Sequence, residues 1–398
     1  MTWVREWRFV LLILAFIIPL PTTGCIEITL LPTTVESTVG NGSAITEVDT
    51  ATNSQSDSSG GDDTHTPYQE ENAANPLAEQ LVTLLPLPEE ASGSELEISA
   101  MSWYGDHLIL VPQYPERFDN QLFAFERQQI LDTLDGKRSD PLNAIPVPFN
   151  SGLLRLRIPR FYQGFEAVTF VGDQIYLTVE AGQRKDEMAS YLVSGSVEPD
   201  LSEIRIDYES YVEILAQADL SNQSDESLLA SQGQLVTLYE ANGVNINPNP
   251  VAHLFDLGLD PMGTIPFPNI EYRITDATSV DSDGRFWAIN YYFPRDMDKL
   301  LVPDAEPLAT RYGEGPSHAK LETVERLVEF QITDERIVLT ERPPIQLTLF
   351  GAELQQLSRL IGAEISRNWE GIVRLDDRGF LLVTDKFPDT LLGFVPFP

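Results

Sequence analysis

Glu166-Ala-Val-Thr-Phe-Val-Gly-Asp-Gln-Ile-Tyr-Leu-Thr-Val-Glu180 holds two apolar, β-branched runs on either side of Gly172-Asp173, a dipeptide suited to a tight turn. Such a pattern is that of a β-hairpin. Four further segments share it: SAMSWYGDHLILVPQ from Ser99, ESLLASQGQLVTLYE from Glu226, DATSVDSDGRFWAIN from Asp276 and EGIVRLDDRGFLLVTD from Glu370. Their turns fall at Gly105-Asp106, Gln232-Gly233, Asp283-Gly284 and Arg378-Gly379. A third apolar run follows each hairpin, at Gln121 to Phe125, Ser190 to Val193, Ala252 to Phe255, Arg326 to Phe330 and Leu391 to Val395. A fourth is expected at Leu153 to Ile158, Glu203 to Ile206 and Arg336 to Thr340.

Four antiparallel strands recurring at irregular intervals, from 50 residues (Glu226 to Asp276) to 94 (Asp276 to Glu370), predict an all-β chain folded as a β-propeller. Five four-stranded blades are expected, or six if the longest interval holds another. The last unit reaches Pro398 without a fourth strand, while Gln80 to Leu85 lies unassigned ahead of the first hairpin. That N-terminal strand is therefore expected to complete the last blade and close the ring. Leu349 to Leu360 reads as one short helix, and Asp296 to Ala319 as a loop insertion.

In a propeller the first strand of each blade lines the axis, so equivalent positions converge. The first column is Ser99, Glu166, Glu226, Asp276 and Glu370; the second, at the far end of each hairpin, is Gln113, Glu180, Glu240, Asn290 and Asp385. Carboxylates gathered at one mouth raise one another's pKa unless a cation neutralises them. An oxygen-rich set without Cys or His favours Ca²⁺. Glu166, Glu180, Glu226, Glu240, Asp276, Asn290, Glu370 and Asp385 are accordingly the candidate metal ligands. The plainer alternative is a set of solvated strand ends in a very acidic chain. Phe165, Trp369, Tyr114, Tyr239, Tyr291 and Tyr292 are expected to pack between blades, and neither His253 nor His318 is paired with a Ser or Asp in a nucleophilic pattern.

The balance of 26 Lys+Arg against 61 Asp+Glu over 398 residues gives a net charge of -35, which excludes a general binder of nucleic-acid backbones. Cys25 is the sole cysteine, so there is no intramolecular disulfide and no cysteine-cluster zinc site. It follows a basic start (Arg5, Arg8), an apolar run from Phe9 to Leu20 and the small residues Thr22-Thr23-Gly24. Residues 1–25 resemble a bacterial lipoprotein signal, which implies lipidation of Cys25 and an extracytoplasmic, membrane-anchored protein. Residues 26–75, with TATNSQSDSSGGDD from Thr50 to Asp63 and no Lys or Arg between Arg8 and Arg117, read as a disordered acidic tether. The propeller domain is then 76–398.

The segments GFEAVTFVGDQIYLTVE (Gly164 to Glu180) and NWEGIVRLDDRGFLLVTDKFPDTLLGFVPF (Asn368 to Phe397) resemble the blade signature of the phytase-like extracellular propellers, the group with esterase-like activity of phytase. The resemblance places Glu166, Glu180, Glu370 and Asp385 on that family's acidic positions; Ser99 departs from the pattern. Two function classes follow. One is a cell-surface module that binds a ligand or divalent cation at the acidic rim. The other is a Ca²⁺-dependent hydrolase of phosphate or carboxylic esters, for which Arg295, Arg374 and Lys386 are the cations available to hold an anionic substrate. Substitution of Cys25 by Ala is expected to move the protein from the membrane fraction to the soluble one; unchanged fractionation would show that the apolar segment itself is the anchor.

Overall fold

The second strand of the first repeat, His107–Pro112, is buried on both faces: Leu108 and Leu110 enter one core and Ile109 and Val111 another. An uninterrupted apolar run is what a strand needs when its sheet is sandwiched between two others. The computed structural model describes residues 78–321, 323–348, 367–386 and 389–398, all within the compact unit Gln69–Pro398. The expected signal segment, the expected tether and the expected helix at Leu349 to Leu360 lie outside the described residues. Among these residues no helix is long and apolar enough to cross a membrane.

The described strands form four sheets that divide into five blades, blades 1 and 2 being joined at their outer strands by a short parallel pairing of Phe149 and Asn150 with Ile204 and Arg205. Blade 1 is Ile98–Tyr104, His107–Pro112, Gln121–Glu126 and Ile145–Asn150. Blade 2 is Tyr162–Val171, Gln174–Ala181, Ala189–Val197 and Ile204–Leu215. Asp225–Ser231, Gln234–Tyr239, Val251–Asp256 and Pro261–Pro266 make blade 3. Blade 4 comprises Arg273–Ala277, Arg285–Tyr292, Val324–Ile332 and Ile345–Thr348, with Ile337–Leu339 beside its third strand. Blade 5 is Trp369–Leu375, Gly379–Thr384 and Leu392–Pro396, completed by Thr83–Leu85. The inner strands neighbour one another in the order 1, 2, 3, 4, 5 and back to 1, so the ring is closed.

Closure uses the N-terminal strand twice. Thr83–Leu85 pairs antiparallel with Leu392 to Phe394 of blade 5, as the sequence predicts. Just before it, Glu79–Leu81 pairs in parallel with Gln346 to Thr348 of blade 4. Val82, buried between the two, enters the core shared by blades 4 and 5 with Trp287, Ile289, Phe380 and Leu382.

Each seam between blades has such a core, and alternate residues of a strand serve opposite seams. Phe286 and Ala288 face blade 3 while Trp287 and Ile289 face blade 5. Leu381 and Val383 face blade 1 while Phe380 and Leu382 face blade 4. Burying one such side chain contributes about 1.5–3 kcal/mol.

Three sequence expectations are corrected. Leu153 to Ile158 is not the fourth strand of blade 1: Leu154–Arg157 is a helical turn, with Leu156 79% exposed, and Ile145–Asn150 forms the strand. Pro146 and Pro148 disguised that strand, yet both are exposed on an outer strand, where proline is tolerated. An eight-residue helix, Arg127–Leu134, adds to the expected helix content and buries Ile130. The insertion at Asp296 to Ala319 is not a plain loop, since it contains the short helices Met297–Leu300 and Pro307–Tyr312 and the start of Pro316–Leu321. Buried Arg326 of blade 4 holds it through both oxygens of Glu306, at 3.0 and 3.1 Å, and Glu306 in turn caps Pro307–Tyr312. A chain beginning at Glu89 is expected to melt at least about 5 °C below one beginning at Pro76, because it lacks both closing strands. Equal melting temperatures would remove Glu79 to Leu85 from the sheet.

Candidate functional site: an acidic axial cavity

A β-bulge interrupts the inner strand of every blade at its first-column residue. In blade 2 Phe165 pairs with Val179 and Ala167 with Thr178, leaving Glu166 as the extra residue. Ser99, Glu226 and Glu370 are set off in the same way, and in blade 4 the break spans Thr275 and Asp276. A bulged residue leaves the ladder, and its side chain is re-aimed. Here it is turned toward the axis or toward the neighbouring blade. Ser99 Oγ donates to the Phe165 carbonyl at 2.6 Å, and Thr275 Oγ1 to the Trp369 carbonyl at 2.6 Å, stitching consecutive blades. At Gly164, with φ +117°, a Cβ would stand 2.7 Å from the Gln113 carbonyl oxygen, so only glycine permits this approach of blade 2 to blade 1.

The bulges surround a cavity of about 490 Å³ whose lining includes Glu166, Glu180, Glu226, Glu370 and Asp385, five of the eight candidates. Glu166 Oε1 accepts from Gln113 Nε2 at 2.8 Å, a bond between first and second columns across a blade seam. Glu370 accepts from Asn368. The other three candidates do not line the cavity. Glu240, fully buried, accepts from Arg273 Nε. Asp276 accepts the backbone N–H of Ile372 at 2.8 Å, tying blade 4 to blade 5. Asn290 is buried; it donates to the Glu271 carbonyl and accepts from Arg326.

The positive charge amid these carboxylates is a side chain. Arg273, three residues before Asp276, lies 3.5 Å from both Glu226 and Glu370 and bonds Glu240, so blade 4 joins blades 3 and 5 through one guanidinium. Burial opposes the charge on Arg273, but Glu226 and Glu370 hold its pKa above the ordinary value. Arg273 is not among the cations that the sequence reading named, Arg295, Arg374 and Lys386. The signal for Arg273 stood in the repeat: three residues before the first column come Leu96, Gln163, Gln223, Arg273 and Arg367, polar in four of five units. Lys386 lines the cavity as expected, with Nζ 3.3 Å from Glu97. Arg374 instead pairs with Asp281 at 3.2 Å outside it, and the Arg295 side chain lies outside the described residues. Among the described residues no group of three or more His, Cys, Asp or Glu is gathered closely enough to hold a metal ion. Ca²⁺ takes six to eight oxygens at about 2.3–2.6 Å, and the carboxylates around Arg273 do not fit that set.

Tyr114 also lines the cavity, beneath Arg117 at 3.8 Å, rather than packing wholly between blades. Phe165 and Trp369 do pack there, with Phe165 edge-on to Phe149 and the Trp369 indole donating to Glu325. His253 lies 3.8 Å from Asp225, which also accepts from Ser190 and Thr237. The serine donates to the aspartate and not to the histidine, so this is a seam between blades 2 and 3 and not a nucleophilic triad.

Burial raises the carboxyls of Glu166, Glu180, Glu226 and Glu370. Glu180 is pushed up to about 8 by burial and then by Glu226, against the pull of Lys299 and Arg273. Glu226 rises to about 7 through burial, again opposed by Arg273 and Lys299. Glu166 and Glu370 are also held well above the usual carboxylate range, by burial and by neighbouring carboxylates.

Comparison with known proteins finds no family. No protein-family model matches the chain, and no curated protein does. Among solved structures, a glucose dehydrogenase is 13% identical, covering 79% of this chain and 99% of its own, with a TM-score of 0.42. The soluble aldose sugar dehydrogenase of Escherichia coli is 12% identical over 79% and 99%, TM-score 0.38. The GH43 endo-arabinanase of Bacillus licheniformis is 9% identical over 78% and 96%, TM-score 0.41. The chain's own strand pairing defines its class: a five-bladed β-propeller with an acidic axial cavity.

The raised carboxyls fix the sign of a pH effect. A folded-state pKa above the unfolded one means that the folded chain binds more protons, so the contribution is complete below the ordinary glutamate pKa near 4.5 and is lost as pH rises through about 7 to 8. Thermal stability is expected to fall across that window, and Glu180→Gln to flatten the slope. A melting temperature rising from pH 5 to pH 8 would contradict the assignment.

Proposed function

We propose that this is an extracytoplasmic binding protein, held to the membrane through a lipid on Cys25, whose propeller takes a positively charged ligand into its axial cavity. One observation carries the reading. Glu180, 3% exposed, lines the cavity and its Oε1 has no hydrogen-bond partner. Leaving a buried polar atom bare costs about 1–3 kcal/mol, and more for a charged group. A cation entering from solvent recovers that cost and offsets the excess of carboxylates. A divalent ion and an organic cation both belong to this class.

The enzyme reading draws on a different observation, the elevation of Glu180 to about 8 and Glu226 to about 7. A carboxyl that keeps its proton near neutrality can deliver it to the leaving oxygen of an ester while water attacks the carbonyl or phosphoryl centre. Arg117, Arg273 and Lys386 in the lining would hold the anionic part of the substrate, and the likeness to phytase-like propellers points the same way.

The two readings separate cleanly. At fixed ionic strength, cations that enter the cavity are expected to raise the melting temperature of the full chain by mass action, and the double substitution Glu166→Gln with Glu180→Gln to remove the gain. If no inorganic or organic cation produces such a gain, the binding reading fails. Hydrolysis of a phosphate- and carboxylic-ester panel, with a rate falling as pH rises past about 8, would instead establish the enzyme; absence of turnover across the panel rejects it.

A further inference from the structure

The lining of the cavity specifies its ligand further. Its carboxyl side chains are Glu97, Glu166, Glu180, Glu226, Glu370 and Asp385, against the cations Arg117, Arg273 and Lys386. Arg117 and Lys386 are both engaged by Glu97, and Arg273 by Glu226, Glu240 and Glu370. Glu166 and Glu180, both more than nine-tenths buried, have no salt bridge among the described residues. The blade 2 wall therefore holds two buried carboxyls that no ion pair supports; burial keeps their protons on toward neutrality, and a bound cation would release them.

Donor and acceptor chemistry narrows the choice. Among the described residues, the buried lining atoms without a close hydrogen bond are Glu180 Oε1 of blade 2, Asn368 Oδ1 on the approach to blade 5 and Glu226 Oε2 of blade 3, the last facing only Arg273 at 3.5 Å. All three are oxygens, and no buried lining nitrogen is left without a partner. What the cavity lacks is N–H or O–H donors presented in several directions. A bare metal ion supplies charge but no donors, and no three acidic or histidine side chains among the described residues are gathered for one. A neutral polyol supplies donors but leaves the charge unmet. The volume of about 490 Å³ also suits a molecule rather than an ion, since a water molecule's share of the liquid is about 30 Å³.

Resting on the cation-binding reading above, we propose that the ligand is an organic primary ammonium ion, an alkyl amine or short polyamine whose –NH₃⁺ group donates to Glu180 and whose further N–H groups reach Glu226 and Asn368. An ammonium carries three donors around one charge, the complement of dispersed acceptors in an acidic cavity.

Calorimetric titration of the full chain at physiological ionic strength tests this with three probes: spermidine, calcium chloride and the neutral polyol erythritol. The expected result is one spermidine per chain, with affinity reduced about tenfold or more by Glu180→Gln, the loss of one charged hydrogen bond. Glu166→Gln should weaken it as well. Glu209→Gln, an exposed carboxylate of blade 2 outside the lining, should leave it unchanged. Cooperative thermal unfolding of each variant shows that the fold is kept. Equal spermidine binding by the unmutated chain and Glu180→Gln would mark it as a counter-ion of the acidic surface and overturn the proposal. Calcium or erythritol binding that depends on Glu180, with none for spermidine, would overturn the ammonium ligand; the calcium result would keep the cation-binding cavity. If no probe gives binding that depends on Glu180, the ammonium ligand and the cavity reading both fall.

Discussion

Every blade of this protein has two apolar faces, and that single constraint organises the rest. A sheet with one apolar face can be finished by one partner; a sheet with two needs a neighbour on each side, and the requirement passes from blade to blade until the ring returns to its start. Leu108 and Leu110 against blade 5, with Ile109 and Val111 against blade 2, show it within a single strand. Closure is thus a consequence of burial. Glu79–Leu81 and Thr83–Leu85 complete it by spanning blades 4 and 5.

Once the ring is closed, its five inner strands meet around the axis, where an unbroken ladder would keep each side chain in the pleat of its own blade. The bulges at Ser99, Glu166, Glu226, Thr275 with Asp276, and Glu370 resolve this by turning one polar stretch per blade out of register. The same device does two jobs. Ser99, Thr275 and Asp276 bond the next blade, whereas Glu166, Glu226 and Glu370 reach the cavity. Repulsion among the carboxyls is limited by Arg273, which meets Glu226, Glu240 and Glu370 from the one blade whose bulged carboxylate bonds the next blade instead of lining the cavity.

Much of this architecture was legible in the sequence. Hairpins around glycine turns, apolar on both faces, announce a blade, and their recurrence announces a ring. The fourth strand of blade 1 was hidden because prolines at 146 and 148 mimic a loop, and only the exposure of an outer strand shows that they are tolerated. The site was half legible. Equal spacing in the repeat located Glu166, Glu180, Glu226, Glu370 and Asp385, since equal spacing in equal blades means equal position. It could not separate them from Glu240, Asp276 and Asn290, because partners that the repeat does not show, Arg273, the Ile372 amide and Arg326, engage those three elsewhere. Arg273 carried a signal at a third offset that the two acidic columns overshadowed.

The closing strand also sets an order of events in biosynthesis. Residues 79–85 leave the ribosome before any blade exists, yet their partners at Gln346 to Thr348 and Leu392 to Phe394 are made near the end of the chain. Pairing over such separations is slow, because the intervening chain must be ordered before the contact forms. The ring consequently works as a length check: a product that stops short of Leu392 keeps blade 5 open, with Leu85 and Val82 bared to any protease or chaperone that patrols unfinished chains.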